Sequence, residues 1–301
     1  MGVLITGATG LIGRALAVRL RAEGWQISAW ARSPARARAA LGAECEVVPV
    51  ERDDRALTAC LGACEAVVNL AGESILGPRW SAERRAALRD SRVAVTQRLV
   101  RAMAATEKRP SVLVSGSGSG YYGDCGTREL DESSPAGRDF LAQLCVDWEA
   151  AATAAEALGV RVVTSRTGAV LAAKGGALGQ MLPAYRLGLG GPVAGGRQYL
   201  PWIHIEDMVG VISTALRDER CRGPINAVAP EAVTNREFSK ALGRALRRPA
   251  VVPLPAAALR LIFGEAAQVL LASQRAVPRR LEELGYRFQQ PRLDAALRSL
   301  V

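Results

Sequence analysis

A glycine-rich turn directly follows the first apolar run of the chain and precedes a segment with helical periodicity. In this setting Gly7 allows a tight bend, Gly10 lets a phosphate approach the backbone, and Gly13 permits close packing of the helix. The first N–H groups of a helix also attract anions, because they carry partial positive charge. The turn therefore predicts a binding site for the pyrophosphate of a dinucleotide. The predicted contacts are Gly7, Thr9, Gly10, Leu11, Ile12 and Gly13.

The end of the second apolar run carries a cation and a hydroxyl, Arg32 and Ser33, where NAD-binding proteins need a carboxylate. That carboxylate, about 20 residues after the turn, holds the 2′-hydroxyl of the adenosine ribose. An acid would repel a 2′-phosphate, whereas a guanidinium group pairs with it through charge-assisted hydrogen bonds. The sequence therefore predicts NADP as the cofactor in preference to NAD, with Arg32 and Ser33 as contacts.

Two further strand ends carry predicted cofactor contacts. The residues that leave the fourth predicted strand let ribose and nicotinamide lie against the backbone. Glu73 follows them, and three interpretations stay open: it holds a ribose, acts as a base or is a solvated loop acid. Ser115 lies where the fifth predicted strand ends, beside the expected nicotinamide. The predicted contacts are Leu70, Ala71, Gly72, Glu73 and Ser115.

Several short motifs resemble those of the extended branch of the short-chain dehydrogenase/reductase superfamily. They are the glycine turn, Asn69–Gly72, a serine-rich strand end that runs into Tyr122-Gly123, and Trp202–Asp207. Other motifs are similar to those of an atypical epimerase-like subfamily with a C-terminal domain of unknown function: Asn69–Glu73, Arg79-Trp80, Asp90–Arg92, Gly120–Gly123, Asp147–Glu149 and Leu187–Pro192. The resemblance covers essentially the whole chain. It implies a Rossmann-type fold and an NAD(P)-dependent epimerase or oxidoreductase.

The resemblance also implies roles for individual residues. Ser117 is closest to the family serine that polarises a substrate carbonyl, although it could equally cap a glycine-rich turn. An extra residue in that turn would redirect Tyr121 or Tyr122 toward the cofactor as a proton donor, unless the two rings only pack together. Arg79 and Arg92 resemble positions that face the cofactor or substrate cleft, where a guanidinium suits a phosphate or carboxylate. We predict that Arg92 contacts the cofactor and leave Arg79 open.

The chemistry of this superfamily rests on a Tyr-x-x-x-Lys pair, in which lysine lowers the pKa of the tyrosine that exchanges a proton. This chain has no such pair. The residues four places after its five tyrosines are Cys125, Gly126, Leu189, Ile203 and Gln290. Counting back from Glu149, the pair falls near Leu141 and Cys145, and neither can do that work. Two hypotheses stay open. The first is an NADP-dependent oxidoreductase or epimerase-like enzyme that uses a non-standard acid and base. The second is a catalytically silent NADP-binding sensor or interaction protein.

Short apolar runs alternate with longer stretches of helical period through the first half of the chain, which is typical of βαβ units on a parallel sheet. The pattern predicts an α/β protein with a Rossmann-type doubly wound parallel sheet and a small, mostly helical C-terminal lobe. The predicted parts are a nucleotide-binding domain at 1–174, to which 201–232 returns, a substrate-side loop or lid at 175–200, and a small lobe at 233–301.

Local signals predict some helix ends and one structural side chain. A helix is predicted from Asp139 to Leu158, and another is expected to begin at Asp207, an apt N-cap. His204 is the single histidine. Its place in a short strand that leads to Asp207 favours a structural role over that of a general base.

Composition limits the partners and the compartment. The net charge is +10, but the arginines are spread along predicted helices at polar-face spacing, without the basic patch that nucleic-acid binding needs. Six cysteines follow no zinc spacing, so we predict reduced thiols and no metal site. No apolar run reaches about 18 residues. We therefore predict a cytoplasmic protein with a small-molecule substrate, an anionic one being one option, no nucleic-acid or membrane partner, and a homodimer as the default assembly.

Overall fold

The computed structural model of the chain describes residues 1–50, 53–77 and 79–301. Its strands are β1 (Gly2–Thr6), β2 (Gln26–Ala31), β3 (Glu46–Pro49), β4 (Ala66–Asn69), β5 (Val112–Gly118), β6 (Glu129–Leu130), β7 (Arg161–Thr167), β8 (Ala169–Leu171), β9 (Tyr199–Leu200), β10 (Trp202–His204), β11 (Gly223–Ala227), β12 (Val233–Thr234) and β13 (Arg275–Ala276). Its α-helices are α1 (Leu11–Ala22), α2 (Pro34–Leu41), α3 (Arg55–Ala63), α4 (Ala82–Arg89), α5 (Val95–Ala104), α6 (Phe140–Thr153), α7 (Gly176–Arg186), α8 (Ile205–Arg217), α9 (Asn235–Leu246), α10 (Ala256–Phe263), α11 (Gln268–Leu271), α12 (Arg279–Glu283) and α13 (Leu293–Arg298).

A parallel seven-stranded sheet with the order β11-β7-β5-β4-β1-β2-β3 forms the centre of the molecule. The order reverses between β1 and β4, since the chain first builds outward through β2 and β3 and then continues on the other side of β1. In doubly wound sheets, ligands bind at the carboxyl ends of the strands at this reversal. The predicted Rossmann-type α/β fold is therefore confirmed, and the sheet places the glycine turn after β1 at the reversal.

Strands β1 and β4 at the centre of the sheet are almost entirely buried, because helices cover both faces of the sheet. Val3 and Ile5 of β1 pack in one cluster with residues of α1 and α8, such as Leu16 and Met208. Leu4, which points to the opposite face, belongs to a second cluster with residues of α3 and α5. Burial on both faces explains why these strands lack the polar alternation of a half-exposed strand.

The helix predicted to begin at Asp139 is confirmed. The Asp139 carboxylate accepts a hydrogen bond from the Ala142 N–H and caps α6, and a 3₁₀ turn extends the helix to Leu158. The N-cap predicted at Asp207 is wrong. Helix α8 begins one residue after His204, whose ring nitrogen accepts a hydrogen bond from the Glu206 N–H. His204 therefore has the expected structural role.

Asp207 instead lies inside α8 and is completely buried. Its carboxylate accepts hydrogen bonds from the backbone N–H groups of Gln289 (2.7 Å) and Gln290 (2.9 Å). The aspartate thus ties the loop before α13 to α8. A buried carboxylate with two backbone donors is well satisfied, which explains an acidic residue in the interior.

The segment 175–200, which the sequence predicts to be a loop or lid, contains helix α7. Leu178, Leu182 and Tyr185 are buried on one face of it, at the spacing of helical turns. Pro183 and the flanking glycines hide this periodicity in the sequence. Burial of the apolar face, against α9 and α13 in a third cluster, outweighs the cost of a proline inside the helix.

The remaining C-terminal chain adds helices and short strands to this arrangement. Strand β11 pairs with β7 and completes the central sheet before the chain enters α9. In the described residues, no helix is long and apolar enough to cross a membrane. The division into domains proposed from the sequence stays a prediction.

Candidate cofactor and active site

The glycine turn after β1 has no room for side chains at two of its glycines. A Cβ atom on Gly7, whose φ is +64°, would lie 2.5 Å from the Leu70 carbonyl oxygen. A Cβ atom on Gly13 would lie 2.5 Å from the carbonyl oxygen of Gly7. Gly10 is the N-cap residue of α1 and provides no side-chain cap. The first N–H groups of α1 therefore stay open at the place where an anion would bind.

The other residues of the turn complete its outer and inner surfaces. Thr9 is exposed, and Ile12 packs against the core beneath the turn. Leu11 lies against the start of α7, because a Cβ atom on Gly176 would come within 2.8 Å of its Cδ2. The start of α7 therefore contacts the glycine turn, within the segment that the sequence predicts as a substrate-side loop or lid.

A buried hydrogen-bond network joins the strand ends beneath the turn. The Thr6 hydroxyl donates to Asn69 Oδ1 (2.6 Å), and the Asn69 amide donates to the hydroxyls of Thr96 (2.7 Å) and Ser115 (3.2 Å). Thr6 also accepts from the N–H of Ala71 and so fixes the exit from β4. Ser115 is fully buried in this network. In this structure its hydroxyl accepts a hydrogen bond from Asn69, and its contact with a cofactor stays a prediction.

Charged side chains meet at the edge of the site beyond β2 and β4. Arg32 is exposed, and its guanidinium lies 3.6 Å from the Glu73 carboxylate. The same carboxylate lies 3.3 Å from the guanidinium of Arg84. Ser33 accepts a hydrogen bond from the Arg36 N–H and caps α2. Glu73 thus bridges two arginines at a partly exposed position, and its contact with a cofactor stays a prediction.

Arg92 lies beside the exit from β4 and has only neutral acceptors. It donates to the carbonyl oxygens of Glu73 (2.7 Å) and Leu88 (3.2 Å), and its guanidinium stacks 5.3 Å from the centre of the Trp148 ring. A Cβ atom on Gly72 would lie 3.1 Å from the guanidinium. No carboxylate of the described residues forms an ion pair with Arg92. Burial is the main cause that lowers the pKa of Arg92.

Arg79, left open by the sequence, has a structural role. Its guanidinium donates to the carbonyl oxygens of Leu261 and Ile262 in the last turn of α10. Those carbonyl groups have no partners within the helix, and a cation is favourable there. Arg79 therefore connects the loop after β4 to the C-terminal chain.

A hydrogen-bonded chain of polar residues starts at Ser117, at the end of β5. The Ser117 hydroxyl donates to Glu149 Oε1 over 2.7 Å. Both oxygens of Glu149 accept from Arg166, each over 2.9 Å, so the carboxylate is held by a two-pronged ion pair. Burial would lower the pKa of Arg166, but hydrogen bonds with Glu149 raise it above its ordinary value. The Ser117 oxygen can accept a hydrogen bond from a ligand while its proton points to Glu149.

The two tyrosines after β5 differ in their surroundings. Tyr122 is buried and donates to Asn226 Oδ1 over 2.6 Å, and burial raises its pKa to about 12. Its phenol therefore donates into the interior, and its role as a proton donor stays a prediction. Tyr121 is half-buried, and the Arg166 guanidinium lies 3.4 Å from its ring centre. Its role as a proton donor stays a prediction.

The positions where the Tyr-x-x-x-Lys pair would fall are occupied by Leu141 and Cys145 on α6. Leu141 packs against the turn after β5, since a Cβ atom on Gly120 would lie 3.4 Å from the Cβ atom of Leu141. The Cys145 thiol faces the carbonyl oxygen of Gly118 over 3.7 Å. Burial raises the pKa of this thiol to about 11, and the nearby Glu149 carboxylate adds to the rise. Neither residue supplies a charge at neutral pH.

The ion pair of Glu149 and Arg166 and the contact of Arg84 with Glu73 were missed by sequence reasoning. The signal for Arg166 was a charged residue in the buried strand β7, because buried arginines need partners. Arg84 gave no signal, since α4 carries several arginines. The structure shows no group of three His, Cys, Asp or Glu side chains that could hold a metal, within the ranges it describes.

Comparison with known proteins identifies the family. A model of the NAD dependent epimerase/dehydratase family matches residues 3–227, and one of a domain of unknown function (DUF1731) matches residues 254–300. The chain is 43% identical over 306 residues to the epimerase family protein SDR39U1 of Bos taurus, covering 100% of both. It is 42% identical over 299 residues to the epimerase family protein MT2273 of Mycobacterium tuberculosis, covering 98% of this chain and 96% of the relative.

A solved structure shows the same architecture throughout. The crystal structure of human epimerase family protein SDR39U1 (isoform2) with NADPH has a TM-score of 0.87 and 38% identity to this chain, and the match covers 100% of this chain and 99% of the human one. The sheet order and the glycine turn agree with the family that these similarities indicate. The chain belongs to the NAD dependent epimerase/dehydratase family.

Proposed function

We propose that the chain binds NADP and acts as an oxidoreductase or epimerase-like enzyme on a small substrate. The observation that carries this proposal is the open N-terminus of α1, which stands at the reversal of the sheet behind Gly7 and Gly13, where a Cβ atom would lie 2.5 Å from a backbone oxygen. The positively charged guanidinium of Arg32, which follows the carboxyl end of β2, favours NADP over NAD. The human relative was solved with NADPH, which supports the same choice.

The residues of the site suit the parts of this cofactor. The turn from Gly7 to Gly13 and the N-terminus of α1 would hold the pyrophosphate. Arg92 would add a guanidinium that forms an ion pair with no carboxylate of the described residues. Arg32 would meet the 2′-phosphate. The backbone of Leu70 to Gly72, fixed through Thr6, would lie against the ribose and nicotinamide.

Bound NADP would supply or accept a hydride. The chain itself must then bind the substrate and move a proton. Ser117 is the group placed to do so, because its oxygen can accept the hydroxyl proton of a substrate alcohol while its own proton passes to Glu149. In the reverse direction the same proton returns to a substrate carbonyl. Leu141 and Trp148, both largely buried, line this region with apolar surface that limits the entry of water.

A second candidate function, a catalytically silent NADP-binding sensor or interaction protein, is favoured by α6. Leu141 and Cys145 put an apolar side chain and a neutral thiol where the family's acid and its activating lysine would stand. A cofactor-binding protein without chemistry would keep the turn and lose that pair. The two candidates therefore differ in turnover and agree in cofactor binding.

Calorimetric titration with NADPH and NADH, followed by NADPH oxidation assays on a panel of aldehydes, ketones and nucleotide sugars, separates these candidates. Turnover that falls strongly in Ser117→Ala and in Glu149→Gln, with NADPH affinity retained, supports the enzyme. Loss of turnover in Tyr121→Phe would instead assign the proton to that phenol. Tight NADPH binding without turnover on the whole panel favours the sensor, and no binding of either dinucleotide contradicts both. The small-molecule substrate, the cytoplasmic location and the homodimer stay predictions.

A further inference from the structure

A carboxylate is held between two guanidinium groups at the edge of the cofactor site. One oxygen of Glu73 lies 3.6 Å from Arg32, and the other lies 3.3 Å from Arg84. Arg32 extends from the carboxyl end of β2, and Arg84 belongs to the first turns of α4. Three separate elements thus meet at one small anion-binding site. The anion that occupies it is the carboxylate of Glu73.

The backbone of Glu73 is fixed independently of its side chain. Its N–H donates to the Ser91 hydroxyl (3.1 Å), and its carbonyl oxygen accepts from Arg92 (2.7 Å). The side chain of Glu73 is 38% exposed, and that of Arg32 is 86% exposed. The carboxylate can therefore leave the two arginines by side-chain rotation alone, without moving the loop that carries it.

The pair is weak enough to be displaced. Ion pairs in contact with water contribute little to stability. A phosphate monoester carries nearly two negative charges and more acceptor oxygens than a carboxylate, so two arginines prefer it. The arrangement therefore resembles a phosphate site that is filled by an internal anion.

We propose that Arg84 and Arg32 together form the site for the 2′-phosphate of NADP, and that Glu73 fills it until the cofactor displaces it. This inference rests on the proposed function. It assigns Arg84 to the cofactor site, and it makes Glu73 a competitor that lowers the affinity for NADP. NADH has no 2′-phosphate and does not compete with Glu73.

Calorimetric titration of the full chain with NADPH and NADH tests the proposal through the variants Glu73→Gln and Arg84→Gln. Glu73→Gln should tighten NADPH binding about threefold, the size expected for loss of an exposed ion pair, and leave NADH binding unchanged. Arg84→Gln should weaken NADPH binding by a similar factor and again spare NADH. The changes in NADPH affinity should be smaller at high salt, because the charges of Glu73, Arg32 and Arg84 are in contact with solvent.

Matched controls come from neighbouring positions of the same type. Arg85 follows Arg84 on α4 but pairs with Glu265, so Arg85→Gln should change neither affinity. Glu65 precedes β4, at the opposite end of the strand from Glu73, and pairs with the N-terminus. Glu65→Gln should likewise have no effect. Thermal unfolding of each variant confirms that the exposed substitutions leave the fold intact.

The probes 2′,5′-ADP and 5′-AMP isolate the 2′-phosphate from the rest of the cofactor. The two substitutions should change the affinity for 2′,5′-ADP only. Weaker NADPH binding in Glu73→Gln, equal changes for both probes, or no effect of Arg84→Gln would overturn the proposal while leaving NADP binding in place. If the unaltered chain binds neither NADPH nor NADH, the proposed function fails and this inference fails with it.

Discussion

Arg166 and Arg92 lie close to the same site, and their partners give them different roles. Arg166 is neutralised by Glu149 through two hydrogen bonds, so its charge is already balanced inside the protein. Arg92 donates to carbonyl oxygens and carries a charge that these neutral groups do not balance. An incoming anion gains little from the first arginine and much from the second. The net charge of a region is thus a poorer guide to ligand binding than the partners of each cation.

Arg32→Asp should reverse the cofactor preference. The substitution removes the cation that faces the 2′-phosphate and adds an acid that repels it, while an acid at this position suits the ribose hydroxyl of NAD. We expect NADPH affinity to fall by about tenfold or more, in line with loss of a charge-assisted hydrogen bond, and NADH affinity to be maintained or to rise. Parallel titrations with NADPH and NADH measure the ratio. Arg38→Asp, at an exposed position on α2, serves as the control, and an unchanged ratio in Arg32→Asp would refute the assignment.

Tyr122→Phe should destabilise the protein without affecting the cofactor. Removal of the phenol leaves Asn226 Oδ1 without its donor in the interior, which costs about 1–3 kcal/mol. Guanidinium-induced unfolding measures the loss of stability, and titration with NADPH should give the affinity of the unaltered chain. Tyr121→Phe is the matched control, since the described residues give its phenol no hydrogen bond. Equal stability of the two variants would show that Tyr122 is not the structural residue inferred here.

Residue types predicted part of the site and could not predict the rest. The glycine turn was predictable because Gly7 and Gly13 act through their own backbone. The contact of Arg32 with a cofactor phosphate stays a prediction. The surroundings of Ser115 and Tyr122 could not be predicted, because only the fold shows which way side chains at the end of a strand point. Glu149 and Arg166 are 17 positions apart in sequence. Their pairing follows from the packing of α6 on β7, which no local pattern records.

At the scale of elements, the central sheet was the most predictable part. Its central strands are buried on both faces, so β1, β4, β5 and β7 each contain a short apolar run. Helix α7 was missed because Gly175, Gly176 and Pro183 interrupt a helical period that Leu178, Leu182 and Tyr185 nevertheless keep. Tertiary burial of that face decides its conformation. The start of α8 was misplaced by three residues because His204, an uncommon N-cap, takes the place of a nearby aspartate.

The cap of α8 makes the stability of the protein depend on pH. Burial lowers the pKa of His204, so the folded protein holds the ring neutral, whereas the unfolded chain binds a proton below about pH 6.5. The contribution of His204 is therefore complete above about pH 6.5 and is lost as the pH falls. Asn at this position keeps an acceptor for the helix N–H groups but does not titrate. When the pH is lowered from about 7.5 to about 5.5, the melting temperature of His204→Asn should therefore fall less than that of the unaltered chain.

His204→Ala separates the cap from the titration. His204→Ala should lower the free energy of unfolding by about 1 kcal/mol at neutral pH, because it removes the hydrogen-bond acceptor that caps α8. Its melting temperature should show the same weak pH dependence as that of His204→Asn. Thermal unfolding across the pH range measures both effects. Identical pH profiles for the unaltered chain and His204→Asn would mean that other groups control the acid sensitivity.

At the scale of the whole molecule, the C-terminal chain closes over the loop that follows β4. Arg79 reaches the end of α10, Arg85 pairs with Glu265, and Trp80 packs in one apolar cluster with Ala266. The loop so held is the one that carries Glu73 and leads to Arg84. The C-terminal chain is therefore connected to the cofactor edge of the site, although it is more than 180 residues away in sequence.

Arg79→Met tests whether this connection stabilises the C-terminal chain. The variant keeps the length of the side chain but loses the cation and the hydrogen bonds at the end of α10, an effect of about 1 kcal/mol. We expect faster amide hydrogen exchange in residues 256–271, while exchange in the central sheet stays unchanged. Arg260→Met, on α10 itself but exposed to solvent, should leave exchange unaltered. Unchanged exchange in Arg79→Met would place the stability of this region in its apolar contacts, with Trp80 and Phe140 as the next positions to substitute.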